Sequence, residues 1–557
     1  MNYCIKNNYF FIIILSIFSC TTDDDNLEES LRLNSIEGNF LLETQQDVND
    51  FGDLNYESID GSLVIGNSTG MSNITSLEPI NNLKAVFGFL SIQNNPQLTS
   101  LSGLENLRYM CHSEPSSIRI INNDGLTEIS AISNINYCDM MSLTLKDNNS
   151  LSNIDAFSEI RNLSQIILQS NENLIDLSAF NNLEQVRYLA LIDGNFSNVG
   201  FNNLNTCDTL HIVSCNNLTH VNSLSNLTNL RVLELGLPGA FLQYQYDPIL
   251  SNQSLASLDG LSNVTNLEAI GIGGGSSDLR SLPNFKGTIG SIALHNTAIE
   301  NLDGFSQGTQ DYHTDLYIYD NYNLENVDGL LNYHVLGEIY LVNNTNLNNI
   351  DGFDTVSEII AGYIFIDGNS IEQTNSVFEN LTTINFYEIN ITNNSGFDHF
   401  SGFNVLNTEN LSVNINNNTD LASIDAFNTL ERVSLNFINN PNLTSILGFD
   451  NVIEADLTIG YSAISNPNQP VEIIDVFNPS AIINNLGIFN TNISNLDSFQ
   501  NFSLNELIQI YNNGLLTDFC GISNQVVNST TSTLIYDVRD NLFNPSRYDL
   551  VDGDCSN

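Results

Sequence analysis

Histidine is the side chain best suited to move protons near neutral pH, and the seven in this chain stand apart: His112, His211, His220, His295, His313, His334 and His399. None belongs to a His-Glu-x-x-His zinc motif, and no glycine-rich loop ending in Lys-Ser or Lys-Thr offers a phosphate cradle. Carboxylates are more regular. Asp155, Asp259, Asp303, Asp328, Asp351, Asp425 and Asp497 recur at one position of a repeated spelling, mostly before Gly or Ala. Stacked at the spacing of adjacent strands they repel unless occupied, and the expectation is that each caps its turn by accepting backbone N–H groups. Calcium needs several oxygens converging from one loop, and no Asp-x-Asp-x-Asp cluster occurs outside residues 23–25. No catalytic residue, metal site or cofactor is therefore assigned.

The elements that position these residues repeat. Leu90-Ser-Ile92 precedes Asn95, Leu98, Leu101 and Leu104, and the pattern returns from Leu143, Leu316 and Leu435. Leu-x-Ile is a short strand with both side chains on one face, and the spacing of three that follows suits a 3₁₀-like return. The period is about 22 to 25 residues over about twenty copies, which is the signature of a solenoid whose core exists only once turns stack. With strands about 4.8 Å apart, the stack is a rod about 90 Å long. Asn at the corner can bond backbone groups of its own and the next turn, so Asn95, Asn123, Asn148, Asn171, Asn321, Asn344 and Asn440 are expected to form a ladder. The turns around Gly194, Gly274 and Gly368 lack this Asn, and irregularity is expected there. Asn-x-Ser/Thr triplets such as Asn217-Leu-Thr219 read as turn chemistry.

Alternate strand positions face outward, and most hold Ser, Thr, Ala, Gly or Asn. Tyr317, Tyr319, Tyr340, Tyr363 and Phe365 break that habit on successive turns, with His295, Asp320 and Asp367 at their border. Such a patch suits a sugar face or a protein hot spot, and equally suits cross-strand packing. A second candidate is the insertion after Leu237, where Phe241, Tyr244 and Tyr246 interrupt the period.

Lys+Arg 14 against Asp+Glu 64 gives a formal charge of −50, which argues against nucleic acid and anionic lipid as partners. The charge itself reads first as solubility. Residues 1–19 have Lys6 and an apolar run from Tyr9 to Phe18 too short to span a bilayer, the layout of a secretory signal. Ile17-Phe-Ser-Cys20 resembles a bacterial lipobox, which implies a lipid on Cys20, and the acidic residues 20–35 read as a tether. An acidic stretch behind the Cys resembles the signal that sends lipoproteins to the outer surface of Gram-negative cells. Membrane contact is then through the lipid alone. Beyond Cys4 and Cys20, six cysteines allow fifteen pairings. Cys111 and Cys138 precede strands of adjacent turns, so a bridge between them is geometrically possible. Cys207 and Cys215 flank one extended strand, about 26 Å end to end, and cannot join. Cys215 occupies the Asn position as a buried thiol.

The repeat resembles the leucine-rich-repeat-like units of receptor L-domain proteins found among bacterial surface lipoproteins. Gly38 to Gly66 resembles the amino-terminal cap of that group, and Leu516 to Ile522 with Tyr536 to Cys555 resembles its carboxy-terminal cap. The resemblance implies a right-handed solenoid, mainly β, with one long parallel sheet and short 3₁₀ returns; caps at 36–66 and 516–557 around a stack at 67–515; a disulfide between Cys520 and Cys555; and a binding or adhesion role toward a protein or glycan, as a monomer. The competing expectation is a polysaccharide lyase or hydrolase on a parallel β-helix. The scarcity of Lys and Arg disfavours a lyase, and carboxylates leave a hydrolase open.

Overall fold

The computed structural model describes residues 34–557 apart from 111–115, 237–251, 266, 275–277, 310–311, 361–362, 373–376, 386–387, 397, 407–409, 462–470, 472, 477–479 and 529–533. Each turn lays down a strand such as Leu90–Gln93, Ser142–Lys146, Thr314–Tyr319, Val335–Val342 or Arg432–Ile438. Every strand of this sheet pairs in parallel with those of neighbouring turns, so like sits on like: Leu143 faces Ile166, Leu316 faces Ile339, and Leu435 faces Leu457. The sheet runs from Phe40–Leu42 to Ile535–Arg539 as one long parallel ladder. Alternation places Leu and Ile inward, where they are fully buried, and polar residues outward. The result is a leucine-rich-repeat-like, receptor L-domain-like solenoid, mainly β.

Inside the corner the asparagines form a directional ladder. Asn344 Oδ1 accepts the Asn321 backbone N–H (3.0 Å) and Nδ2 (3.2 Å), while Asn344 Nδ2 donates to the Ile318 carbonyl (3.0 Å) and Asn369 Oδ1 (3.2 Å). Asn95, Asn123, Asn148 and Asn171 are joined in the same way, and Asn440 closes a run that passes through Asn394 and Asn418. Asn369 corrects the expectation at Gly368. There Gly368 (φ +70°) occupies the left-handed position that Asn343 or Asp320 fills elsewhere, and the ladder Asn follows it. At Gly194 the ladder does break. For Gly274 (φ +82°) the corresponding ladder position lies outside the described residues.

Described runs open on a residue other than Asn. Ser72 and Thr297 each donate a hydroxyl to the next Asn Oδ1, as Thr491 does to Asn513. Cys215 follows Gly194, and its backbone N–H donates to Asn252 Oδ1 (3.0 Å). Gly194 has no side chain, but its backbone N–H is bonded to the Cys215 sulfur, which keeps the acceptor role of the ladder position. The single S–H has the Leu191 (3.4 Å) and Val213 (3.5 Å) carbonyls in reach as acceptors, and burial pushes the thiol up to about 12.

The return segments fall into two kinds. Asp155–Phe157, Asp303–Phe305, Asp328–Leu330, Asp351–Phe353 and Asp497–Phe499 are 3₁₀ turns, as read from the spacing. His399–Gly402, Ser423–Ala426, Ser445–Gly448 and Ile473–Val476 instead form a second parallel sheet, which corrects the uniform 3₁₀ expectation. The words Ile154-Asp-Ala-Phe157 and Ile424-Asp-Ala-Phe427 are identical yet fold differently. Before the first, Asn153 Oδ1 accepts the Asp155 N–H (2.9 Å) and starts the turn. Before the second, the Ser423 hydroxyl is bonded to His399 Nδ1 (2.7 Å), and the chain stays extended. It then turns at Phe427 with φ 61°, as at Phe378, Phe403 and Phe449. A left-handed Phe is costly, by about 1–2 kcal/mol. The rings offset this by stacking through the core, with centroids 5.0 Å apart for Phe378–Phe403 and 4.9 Å for Phe403–Phe427.

Both ends are covered. The helix Gln45–Asp53 opens with a capping box between Thr44 and Asp47 and packs Phe51 on Phe40 (5.1 Å). At the other end the helices Cys520–Asn528 and Arg547–Asp552 close the stack, and Cys520 is bonded to Cys555.

Candidate functional site

On the outer face of the sheet Tyr317, Tyr340 and Phe365 are in register on three consecutive strands, Thr314–Tyr319, Val335–Val342 and Ile364–Asp367. Tyr317 and Tyr340 lie 5.7 Å apart with planes at 16°, Tyr319 and Tyr340 6.1 Å at 28°, and Tyr340 and Phe365 6.0 Å at 39°. Near-parallel rings at these separations are offset, so each is half-buried by its neighbour and shows the remainder to solvent. Cross-strand packing is therefore real here, and it builds one apolar ridge. His295 meets Tyr319 edge-on (6.2 Å). Tyr363 stands just outside its strand, 46% exposed, and among the described residues makes no ring contact with the others.

Carboxylates line this ridge. Glu338 accepts the Tyr317 hydroxyl (2.6 Å) and its backbone N–H donates to Asp315 (3.0 Å). Asp320 takes His295 Nε2 (3.1 Å) and Asn343 Nδ2 (3.1 Å), and Asp367 accepts Thr392 and Asn393 (2.5 Å each). Burial, then the bond to Glu338 and the charges of Asp315 and Glu338, push the Tyr317 phenol above its ordinary range. Farther along the same outward column the rings give way to amides: Asn414 donates to Asn390 (2.9 Å), and Asn436 to Asn414 (2.8 Å).

Reading the outward positions as small and polar elsewhere missed other aromatic places, among them Tyr188 and the two that follow. Phe489 and Tyr511 stack at 4.4 Å with the Arg539 guanidinium 4.9 Å from the Tyr511 centroid. Arg119 lies 5.7 Å from Phe89. Their signal was an aromatic residue directly beside the Leu-x-Ile core, before it at Phe89 and after it at Phe489 and Tyr511. A groove of about 530 Å³ opens at the strand starts near Asp208, Arg231, Glu268, Tyr312 and His313. It too was not legible, because its walls come from five different turns. The insertion with Phe241, Tyr244 and Tyr246 lies outside the described residues.

The aspartate column does not cap. Each 3₁₀ turn is started by the residue two positions earlier: Asn301, Asn326, Asn349 and Asn495 accept the N–H of Asp303, Asp328, Asp351 and Asp497. The short amide reaches forward two residues and takes the first open N–H of the turn. Asp425 lies in a strand. Asp328 Oδ1 is buried without a hydrogen bond, and burial, then Asp351 and Asp303, raise that carboxyl. Among the described residues no group of three potential metal ligands converges. Cys138 is disulfide-bonded, and Cys111 lies outside the described residues. Cys207 and Cys215 are free and buried. The spelling Gly-x-Ser-x-Gly occurs at Gly66–Gly70 and Gly304–Gly308, but Ser68 and Ser306 are exposed turn residues rather than nucleophiles on a strand-to-helix elbow.

Residues 55–161 match the receptor L domain family. No curated protein matches the chain. Similar solved structures include a TLR13–ssRNA13 complex (14% identity, 86% of this chain and 79% of that one, TM-score 0.23). Others are a leucine-rich repeat protein from Bacteroides ovatus (14%, 72% and 79%, 0.13) and the circular leucine-rich repeat protein CroV588 (12%, 91% and 89%, 0.19).

Proposed function

We propose that this chain is a cell-surface binding protein, anchored through a lipid on Cys20, which uses its outer sheet to hold a protein or glycan ligand at the ridge of Tyr317, Tyr319, Tyr340 and Phe365. The observation that carries this reading is the ridge itself: apolar rings in register on adjacent rungs, rimmed by oriented carboxylates, on a rigid face. Central aromatic anchors with a polar rim are the usual anatomy of a hot spot. The activity on this reading is binding rather than turnover, which is supported by rim carboxylates held in fixed orientations by Tyr317, His295 and Thr392.

The triple substitution Tyr317→Ser, Tyr340→Ser and Phe365→Ser leaves the inward Leu316, Ile339 and Ile364 in place. Affinity for ligands selected on a glycan and host-protein array should fall by about a hundredfold, about 3 kcal/mol. Unchanged affinity in a folded variant would move the site elsewhere, and release of shortened products from polysaccharides would replace binding by catalysis. Cys20→Ala should shift the protein from the membrane to the soluble fraction; retention would remove the anchor.

A further inference from the structure

No lysine or arginine occurs between Lys286 and Arg432, a stretch that contains the whole ridge and its carboxylates Asp315, Asp320, Glu338, Asp367 and Glu388. Five basic residues elsewhere are held by acids of an adjacent turn: Lys84 by Glu57 (2.9 Å), Arg161 by Glu184 (2.6 Å), Arg231 by Glu268 (2.9 Å), Arg280 by Glu300 (2.9 Å) and Arg432 by Glu454 (3.2 Å). The ridge acids thus have no lysine or arginine near them in sequence; their basic neighbours are histidines, His295 at Asp320 (3.1 Å) and His313 at Asp315 (3.7 Å).

The same face also shows what its rings accept. At two other outer aromatic places an arginine of the chain lies by the ring, Arg539 at Tyr511 and Arg119 at Phe89, and Arg539 Nε is held by Asp537 at 3.2 Å. A ring beside a carboxylate, with a guanidinium between them, is therefore a unit this molecule already builds. The ridge supplies the rings and carboxylates of that unit. Among the described residues no cation lies over Tyr317, Tyr319 or Phe365.

We infer that the ridge receives a basic protein segment, whose arginine or lysine side chains lie over the exposed parts of the rings and pair with Glu338, Asp315, Asp320 and Asp367. This rests on the ridge being the binding site and specifies its partner by charge. Tyr317 and Glu338 are bonded to each other, so the carboxylate is aimed beside the ring rather than free to rotate. Glycans bearing uronate or sulfate, and nucleic acid, meet repulsion there.

The test uses the full-length chain and three probes: deca-arginine, cellohexaose and deca-glutamate, measured by titration calorimetry at low and moderate salt. Deca-arginine should bind with affinity that falls as salt rises, and the other two should not bind. Glu338→Gln with Asp367→Asn, which preserves hydrogen-bonding capacity, should weaken deca-arginine at least tenfold. Asp50→Asn with Asp53→Asn, in the distant amino-terminal helix, should change it by less than twofold. Equal losses from both pairs would mean attraction by overall charge and would overturn the inference. Cellohexaose binding that survives the Glu338/Asp367 pair but is lost with Tyr317→Ser/Tyr340→Ser would overturn the basic partner while keeping the ridge as a site. Deca-arginine binding indifferent to Tyr317→Ser/Tyr340→Ser would remove both, circular dichroism having shown each variant folded.

Discussion

Asn344 illustrates how much one side chain carries at the residue scale, since its amide serves three turns at once. Asn344→Ala strands the Asn321 N–H and the Ile318 carbonyl in the core, each at about 1–3 kcal/mol. Thr297→Ala removes a single hydroxyl donor at the head of a run. Denaturation midpoints should therefore fall more for Asn344→Ala than for Thr297→Ala, and equal shifts would refute the ladder's directionality. Asp354 makes the opposite case. Burial, then the charges of Asp351, Glu379 and Asp328, raise its carboxyl to about 6 from an ordinary 3.8. A raised acid favours the folded state below 3.8 and loses that contribution as pH rises through 6. Asp354→Asn should therefore melt higher than the parent at pH 8, with the gap closing toward pH 4; a gap independent of pH would exclude this origin. The ladder was legible because Asn recurs at a fixed place. Asn369 was missed because Gly368, one residue early, looked like its replacement. The upstream caps were missed because Asn301 and Asp303 are both plausible capping residues and spelling alone does not say which amide is in reach.

Among elements, the strand was the clearest reading, because Leu-x-Ile can bury both side chains only when extended. The return was half legible: Ile-Asp-Ala-Phe is a 3₁₀ turn at 154–157 and largely strand at 424–427, decided by a neighbour's hydrogen bond rather than by the word itself. Left-handed phenylalanines are not legible in the sequence, since ring stacking between turns, Phe353–Phe378–Phe403–Phe427–Phe449 and Phe180–Phe201, is what offsets the conformation. At the carboxy-terminal end Cys520 anchors a helix to the last residues of the chain. Contacts in a solenoid are local, so replacing Cys520 and Cys555 by Ala should speed amide exchange in Cys520–Asn528 and Ile535–Arg539 and leave Leu90–Gln93 as protected as before. Faster exchange throughout would mean that the cap governs the whole stack.

For the molecule as a whole, a formal charge of −50 gives a well-hydrated surface that repels its own kind and disfavours nucleic acid, and composition alone goes no further. Position adds the rest. Stacking brings residues 317, 340 and 365 onto adjacent rungs, turning three isolated aromatics into one ridge, and concentrates it in a stretch without lysine or arginine. The groove near Tyr312 and His313 was beyond reach of the sequence because five successive turns each contribute only one to three residues to its wall. The central claim is that ligand is held on the outer sheet at this ridge. A photo-crosslinking amino acid at Val342, outward beside Tyr319, and separately at Val232, outward several rungs away, tests it most directly. Ligand selected on the array should crosslink at position 342 and not at 232; crosslinking at 232 alone, or equally at both, would contradict the account.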